Sequence, residues 1–265
     1  HLHVTHLGSP RFLGLAFFVD DEEDLRRATR AAGATGIENI DEPGGGKRVR
    51  LTDPHGYTVE IVCGMAPVDP LPVRPNVLNW GSEKTRRAGD LMRVQQGPSQ
   101  VKRIAHAVLG TPKVKETVNW FRHHLGFICS DDVYAGQKDN LIGSFNRCDR
   151  GEDFVDHHTF VCIQSDKIGL NHVSFEVQNI DDVMLGHEHL KQAGKYEHVW
   201  GIGRHLLGSQ VYDYWKDPWG RVHERWTDSD VLNCHNPINY VPAEVGLNSQ
   251  WGMPVPQSFI THASP

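Results

Sequence analysis

Leu170–Val177 reads LNHVSFEV and Phe12–Val19 reads FLGLAFFV, so Phe17 aligns with Phe175 and Val19 with Val177. Both stretches have the length and apolar content of a strand, and both run into an acidic helix start, Asp20–Asp24 and Asp181–Asp182. Each helix then leads to a glycine that reads as a C-cap, Gly33 in Ala-Ala-Gly and Gly194 in Gln-Ala-Gly. Each copy closes on a turn and a strand. Asp53-Pro54-His55-Gly56 leads to Glu60, and Asp217-Pro218-Trp219-Gly220 leads to Glu224. Proline sets φ and glycine permits φ > 0, which suits a tight turn. A third copy lies between them, with a strand at Ile104–Val108 and a helix at Lys113–Leu125 striped by Val114, Val118, Phe121 and Leu125. Strands are expected there over Phe127–Val133, Leu141–Arg147 and Val155–Gln164. Self-similarity of this kind outranks any single-segment reading. The expected fold is therefore α+β, built of βαβββ modules at about 8–64, 101–165 and 168–227.

Four domain-level segments follow: one module in 1–65, a Pro/Gly-rich linker in 66–100, a paired-module catalytic domain in 101–227, and a tail in 228–265. Pro237, Pro242, Pro254 and Pro256 argue against a regular core element in the tail. Its apolar Trp251 and Phe259 suggest a lid over a cavity or an arm on a neighbouring subunit. An odd module suggests that another precedes it in the gene product, since an unpaired sheet would leave an edge and an apolar face to cover.

Composition sets outer bounds. With 265 residues, 38% hydrophobic, the chain can form packed cores. A net charge of −6 gives no reason to expect nucleic acid or an anionic membrane as partner. No apolar run approaches the ~18 residues of a membrane span, and no signal peptide is visible, so a cytoplasmic location is expected. Cys63, Cys129, Cys148, Cys162 and Cys234 are scattered without a CxxC pair and read as reduced packing thiols. Most of the 17 histidines read as bystanders, among them His1, His3, His6, His123, His124, His187 and His189.

Three stretches stand apart: Arg103–Leu109 (RIAHAVL), Gly169–Val177 (GLNHVSFEV) and Asp217–Trp226 (DPWGRVHERW). They offer His106, His172 and Glu224 as ligands to one metal, and two imidazoles with one carboxylate suit non-haem Fe(II) with open positions. Strand alternation places Leu170, His172, Ser174 and Glu176 on one face, lining a cavity, and Val173, Phe175 and Val177 on the other. Glu60 is the first-copy counterpart of Glu224, but Gly14 stands where His172 does, so Glu60 reads as non-catalytic.

Val101–Thr227 resembles the type I extradiol catechol dioxygenases of the vicinal-oxygen-chelate superfamily. Beyond the three ligand stretches, the likeness rests on Asp156-His157-His158-Thr159, on Gly203-Arg204-His205, and on the spacing His205-x8-Tyr214-x9-Glu224. His223, before Glu224, departs from the family's commoner aliphatic residue. The resemblance implies modules paired into open mixed-sheet barrels around a metal cavity, and an Fe(II) centre on His106, His172 and Glu224, with Mn(II) taking the same donors. It implies His158 as acid–base residue, His205 and Tyr214 as hydrogen-bonding partners of the substrate, and His157 and Arg204 as weaker substrate contacts. The substrates would be a small aromatic diol and O2, and the enzyme a homo-oligomer. Two other readings use the same architecture. A glyoxalase-type isomerase, or an oxygenase using a 2-oxo acid, would be another metalloenzyme. A metal-free ligand-binding protein would give no reason for the three ligands to coincide. The isomerase would call for a further carboxylate in the second module, where none is evident.

Overall fold

The computed structural model describes residues 8–73 and 77–264, so His1, His3, His6 and Pro75 lie outside the described residues. Module one comprises β1 (Gly14–Phe18), α1 (Glu22–Ala28), β2 (Glu38–Asn39), β3 (Lys47–Thr52) and β4 (Thr58–Cys63). Module two comprises β5 (Val101–Thr111), α2 (Val114–Leu125), β6 (Ile128–Tyr134), β7 (Leu141–Arg147), β8 (Val155–Asp156) and β9 (Phe160–Gln164). Module three comprises β10 (Gly169–Val177), α3 (Ile180–Ala193), β11 (His198–His205), β12 (Val211–Lys216) and β13 (Val222–Thr227). In each module the first strand pairs in parallel with the last: β1 with β4, β5 with β9, β10 with β13. A helical crossover between them permits this, as a short turn would not.

Modules two and three share one open, mixed sheet of ten strands in the order β15-β6-β7-β9-β5-β10-β13-β12-β11-β16. Its middle is the antiparallel pair β5–β10, so the two modules are related about that seam. The outermost strands belong to the tail: β15 (Asn239–Pro242) lies parallel to β6, and β16 (Ser249–Trp251) antiparallel to β11. The tail also supplies β14 (Val231–Leu232), α4 (Ala243–Gly246) and α5 (Gln257–Ile260). These are short edge strands and four-residue helices rather than core elements. Pro242 ends an edge strand and caps α4, and Pro256 caps α5, positions where a missing N–H costs nothing.

Capping explains the helix bounds. Asp21 accepts from the N–H groups of Glu23 and Asp24 at the start of α1, and Gly126 and Gly194 close α2 and α3 in the left-handed region. Gly33 does not cap α1. That helix ends at Thr29, and Gly33 takes its positive φ in the turn beyond. The expected single strand Val155–Gln164 is likewise two, β8 and β9. Residues 157–159 leave the ladder between them, with the His157 N–H donating to Asp230 O on the tail side.

Module one forms its own sheet, β1-β4-β3-β2. Its apolar face, with Leu15, Phe17, Val49, Leu51 and Ile61, joins one hydrophobic cluster with Val118 and Phe121 of α2 and Phe160 of β9. The second module thus covers the face that would otherwise meet water. Phe17 meets Phe121 and Phe127 edge-on, and His55 Nε2 lies 2.7 Å from Thr117 Oγ1. The other face carries charge: Glu60 lies 3.0 Å from Arg50 and 3.6 Å from Arg48. All five cysteines are free. Among the described residues no helix is long and apolar enough to cross a membrane.

Candidate metal centre

The β5–β10 seam and its neighbour β13 bring His106, His172 and Glu224 together, with all three ligand atoms within 4.8 Å of one another. In the ladder His172 lies beside Val108, and Ser174 beside Glu224. Glu224 Oε2 stands 2.9 Å from His106 Nε2 and 3.6 Å from His172 Nε2. Donors about 2.1 Å from a shared ion and at right angles around it would be about 3 Å apart, so these separations fit one ion. The fit also rests on what the carboxylate lacks. Glu224 is fully buried, and neither oxygen has a hydrogen bond of good geometry. A buried, unpartnered carboxylate is costly unless a cation meets it.

The imidazoles are set up as donors of lone pairs. His172 Nδ1 lies 2.7 Å from Asn171 Oδ1, so Nδ1 carries the proton and Nε2 faces Glu224 with its lone pair free. Asn171 is held in turn by donating to Phe259 O and His262 O, which ties the tail to the ligand strand. Burial pushes the His172 pKa down to about 3 and lowers His205, so both rings are neutral near pH 7.

The same cavity, about 330 Å³, takes in His158, His205 and Tyr214. His205 Nε2 lies 2.8 Å from Tyr214 Oη and 3.5 Å from Glu224 Oε1. Burial, then the Glu224 charge, holds the Tyr214 phenol well above its usual pKa, so it stays a neutral hydroxyl. His158 is buried, which drives its pKa well below the ordinary value, and its ring sits 4.2 Å from that of His106.

Two expected substrate contacts are elsewhere. Arg204 donates to Ser209 O and pairs with Asp228, and it does not line the cavity. His157 stands behind His158. Its Nε2 is 2.7 Å from Asp131 Oδ2 and its Nδ1 3.0 Å from His158 Nδ1. The two Nδ1 atoms can share one proton, and in the tautomer where His157 offers the lone pair, His158 donates from Nδ1 and keeps Nε2 free. The expected alternation along β10 also fails locally. The ladder shifts between Leu170 and His172, so Asn171 lines the cavity beside His172, while Leu170 packs in the core and Glu176 pairs with Lys102 and Arg103. On the outer face Phe175 stacks on His223, which explains the aromatic neighbour of Glu224.

The repeat locates one further position. His106 and His172 are equivalent, and two residues beyond His172 the ladder pairs Ser174 with Glu224. Two residues beyond His106 it pairs Val108 with Val161. Val161 is therefore the module-two counterpart of Glu224; it is buried and lines the cavity.

A second His-His-carboxylate group, His187, His198 and Asp213, lies outside the cavity. Its carboxylate differs from Glu224 in being satisfied. His198 Nε2 at 2.8 Å, His187 Nδ1 at 3.2 Å and the Trp215 indole N–H at 2.5 Å all reach it. His187, expected as a bystander, is thus the partner of a buried acid, and its pKa is raised by the bond to Asp213 against the opposing effect of burial. The sign follows from linkage. The His187 contribution is complete below the unfolded value of about 6.5 and fades as pH rises through the higher folded value. Melting temperatures of wild type and His187→Gln should therefore converge between about pH 6 and 8. A constant gap across that range would refute the ion pair.

The profile of the glyoxalase/bleomycin resistance protein/dioxygenase superfamily matches residues 103–224. Metapyrocatechase 2 of Cupriavidus necator is 30% identical over 256 residues, covering 94% of this chain and 74% of the relative. The chain belongs to the extradiol dioxygenase family of that superfamily. Among solved structures, homoprotocatechuate 2,3-dioxygenase from Brevibacterium fuscum, in its anaerobic substrate complex, is similar with a TM-score of 0.72 at 20% identity. The match covers 95% of this chain and 74% of that one. The Mn(II)-bound glyoxalase from Novosphingobium aromaticivorans gives 0.69 at 24%, covering 95% and 76%. These two likenesses are of fold.

Proposed function

We propose that the chain is an Fe(II)-dependent extradiol dioxygenase that opens a catechol ring beside its two hydroxyls. His106, His172 and Glu224 would hold the metal; Mn(II) takes the same donors. Bound there, the ion supplies an anchor for both catechol oxygens and an electron path between the ring and O2. The observation that carries this reading over an isomerase is Val161. An apolar side chain at the counterpart of Glu224 leaves three protein donors, and so leaves positions free for a bidentate diol and a gas.

The remaining groups divide the work. His158, held at Nδ1 by His157, presents Nε2 as the base that takes a hydroxyl proton on binding and returns it later. Tyr214 and His205, hydrogen-bonded to each other beside Glu224, would orient the ring oxygens. Trp200 and Phe259 pack against Tyr214 and would limit the access of bulk water to it.

Anaerobic loading with Fe(II), followed by addition of O2 and a panel of catechols, tests the reading through the visible absorbance of ring-opened products. Iron-loaded protein that leaves the entire panel uncleaved would refute it. His158→Asn should keep its iron and its melting temperature yet turn over ~10²–10⁴-fold more slowly, as expected on losing a positioned proton-transfer group. If His158 were only a packing residue, that variant would lose stability and keep full turnover per iron.

A further inference from the structure

We propose that the ring this site accepts is a neutral catechol bearing an uncharged apolar substituent, alkyl or aryl, and not a catechol carboxylic acid; the proposal rests on the dioxygenase reading above. The cavity is chemically divided. His106, His172, Glu224, His158, His205 and Tyr214 gather its polar groups around the metal centre. The rest of the lining is mostly hydrocarbon: Val133, Ile142 and Ile163 from module two with Leu207, and Phe145 and Phe259, which pack against His158 and Tyr214; buried Gln210 adds one neutral amide. Gln164 and Asn248 are exposed. The Asn171 amide is already committed to Phe259 O and His262 O.

Among the described residues, no lysine or arginine lines this space. The arginines placed nearby in the fold are engaged elsewhere. Arg147 donates to Cys129 O, Ser130 Oγ, Asn233 O and Asn236 O. Arg122 donates to Asn146, Asp132 and Ser144, and Arg204 is paired with Asp228. A carboxylate on the substrate would leave water for an apolar wall with no cation to meet it, a large penalty for an ionised group. An alkyl or aryl group would gain from the same wall.

Size points the same way. A dry apolar cavity of about 150 Å³ holds benzene. A cavity of about 330 Å³ therefore has room for the diol ring and a substituent of similar bulk.

The test uses the iron-loaded protein and catechols carrying propyl, phenyl or carboxymethyl at ring position 3 or 4, with unsubstituted catechol as reference. Anaerobic dissociation constants and kcat/KM are both measured. The best apolar catechol should exceed its carboxymethyl counterpart by roughly 10- to 100-fold in each, the discrimination expected for a few methylenes in an apolar pocket. Equal or better use of carboxymethyl catechols would overturn the proposal while leaving ring cleavage intact. If nothing on the panel were cleaved, the dioxygenase reading would fall, and the anaerobic affinities would still decide the selectivity. Ile142→Trp, which fills the hydrocarbon end from a half-buried position, should close the gap by weakening the propyl and phenyl substrates selectively. An unchanged gap in that folded variant would overturn the assignment of this wall to the substituent.

Discussion

Glu224→Ala is expected to remove stoichiometric metal and ring cleavage together. Among the described residues three protein donors converge at the centre, and Glu224 is the charged one of the three. Its loss leaves two neutral imidazoles, too weak a set to hold a hard divalent ion against water. The metal-free protein should respond in the opposite sense. There Glu224 is a buried carboxylate without a good hydrogen bond, so Glu224→Gln should melt at a higher temperature than the wild-type apoprotein. Glu60→Ala supplies the control, because Glu60 is tied to Arg50 on the other sheet and should leave iron content and turnover alone. Stoichiometric iron in Glu224→Ala, or its loss in Glu60→Ala, would put the centre in the wrong copy of the repeat.

Val161→Glu should abolish turnover by the opposite route, through one donor too many. A carboxylate at the counterpart of Glu224 would reach the ion across the seam and occupy a position the diol needs. Metal should be retained, and bound more tightly, while catechol affinity and ring cleavage fall ~10²-fold or more, the scale of a misplaced substrate. The apoprotein should lose stability, since a second buried carboxylate joins the first, and added metal should restore it. Val161→Leu separates bulk from charge: it should keep metal and much of the activity. Near-normal turnover in Val161→Glu with metal bound would mean that Val161 does not face the ion.

Much of this was legible before any coordinates, and the reasons lie in particular residues. His106, His172 and Glu224 stand out because their stretches resemble those of the extradiol family, while the repeat adds only that Glu60, lacking a matching His, is set apart. The βαβββ modules were legible from the repeat itself. The departures come where a contact is long-range or a period breaks. Asn171 enters the cavity through a ladder shift beside His172, which strict alternation along the strand hides. Asp131 and His157 are 26 positions apart, and nothing local joins them until β6 and the segment after β8 are packed. His187 reads as a surface residue on a helix until Asp213 of another element turns out to lie beneath it. The tail's strands are two to four residues long and owe their existence to the strands they pair with, β8, β6 and β11. Arg204 shows the reverse failure: a motif residue whose guanidinium turns away to Asp228.

The pairing of Val161 with Glu224 across the repeat also bears on descent. Every valine codon becomes a carboxylate codon, Asp or Glu according to the third base, by one change at the second base. The gene is thus one nucleotide from placing an acid opposite Glu224, and a duplicated module carries that option wherever its two halves remain alike. Loss or gain of a single methyl-bearing side chain on β9 would then separate a centre open to gas and diol from one closed by its own chain. Two chemistries can diverge on this scaffold without any change in the arrangement of its strands.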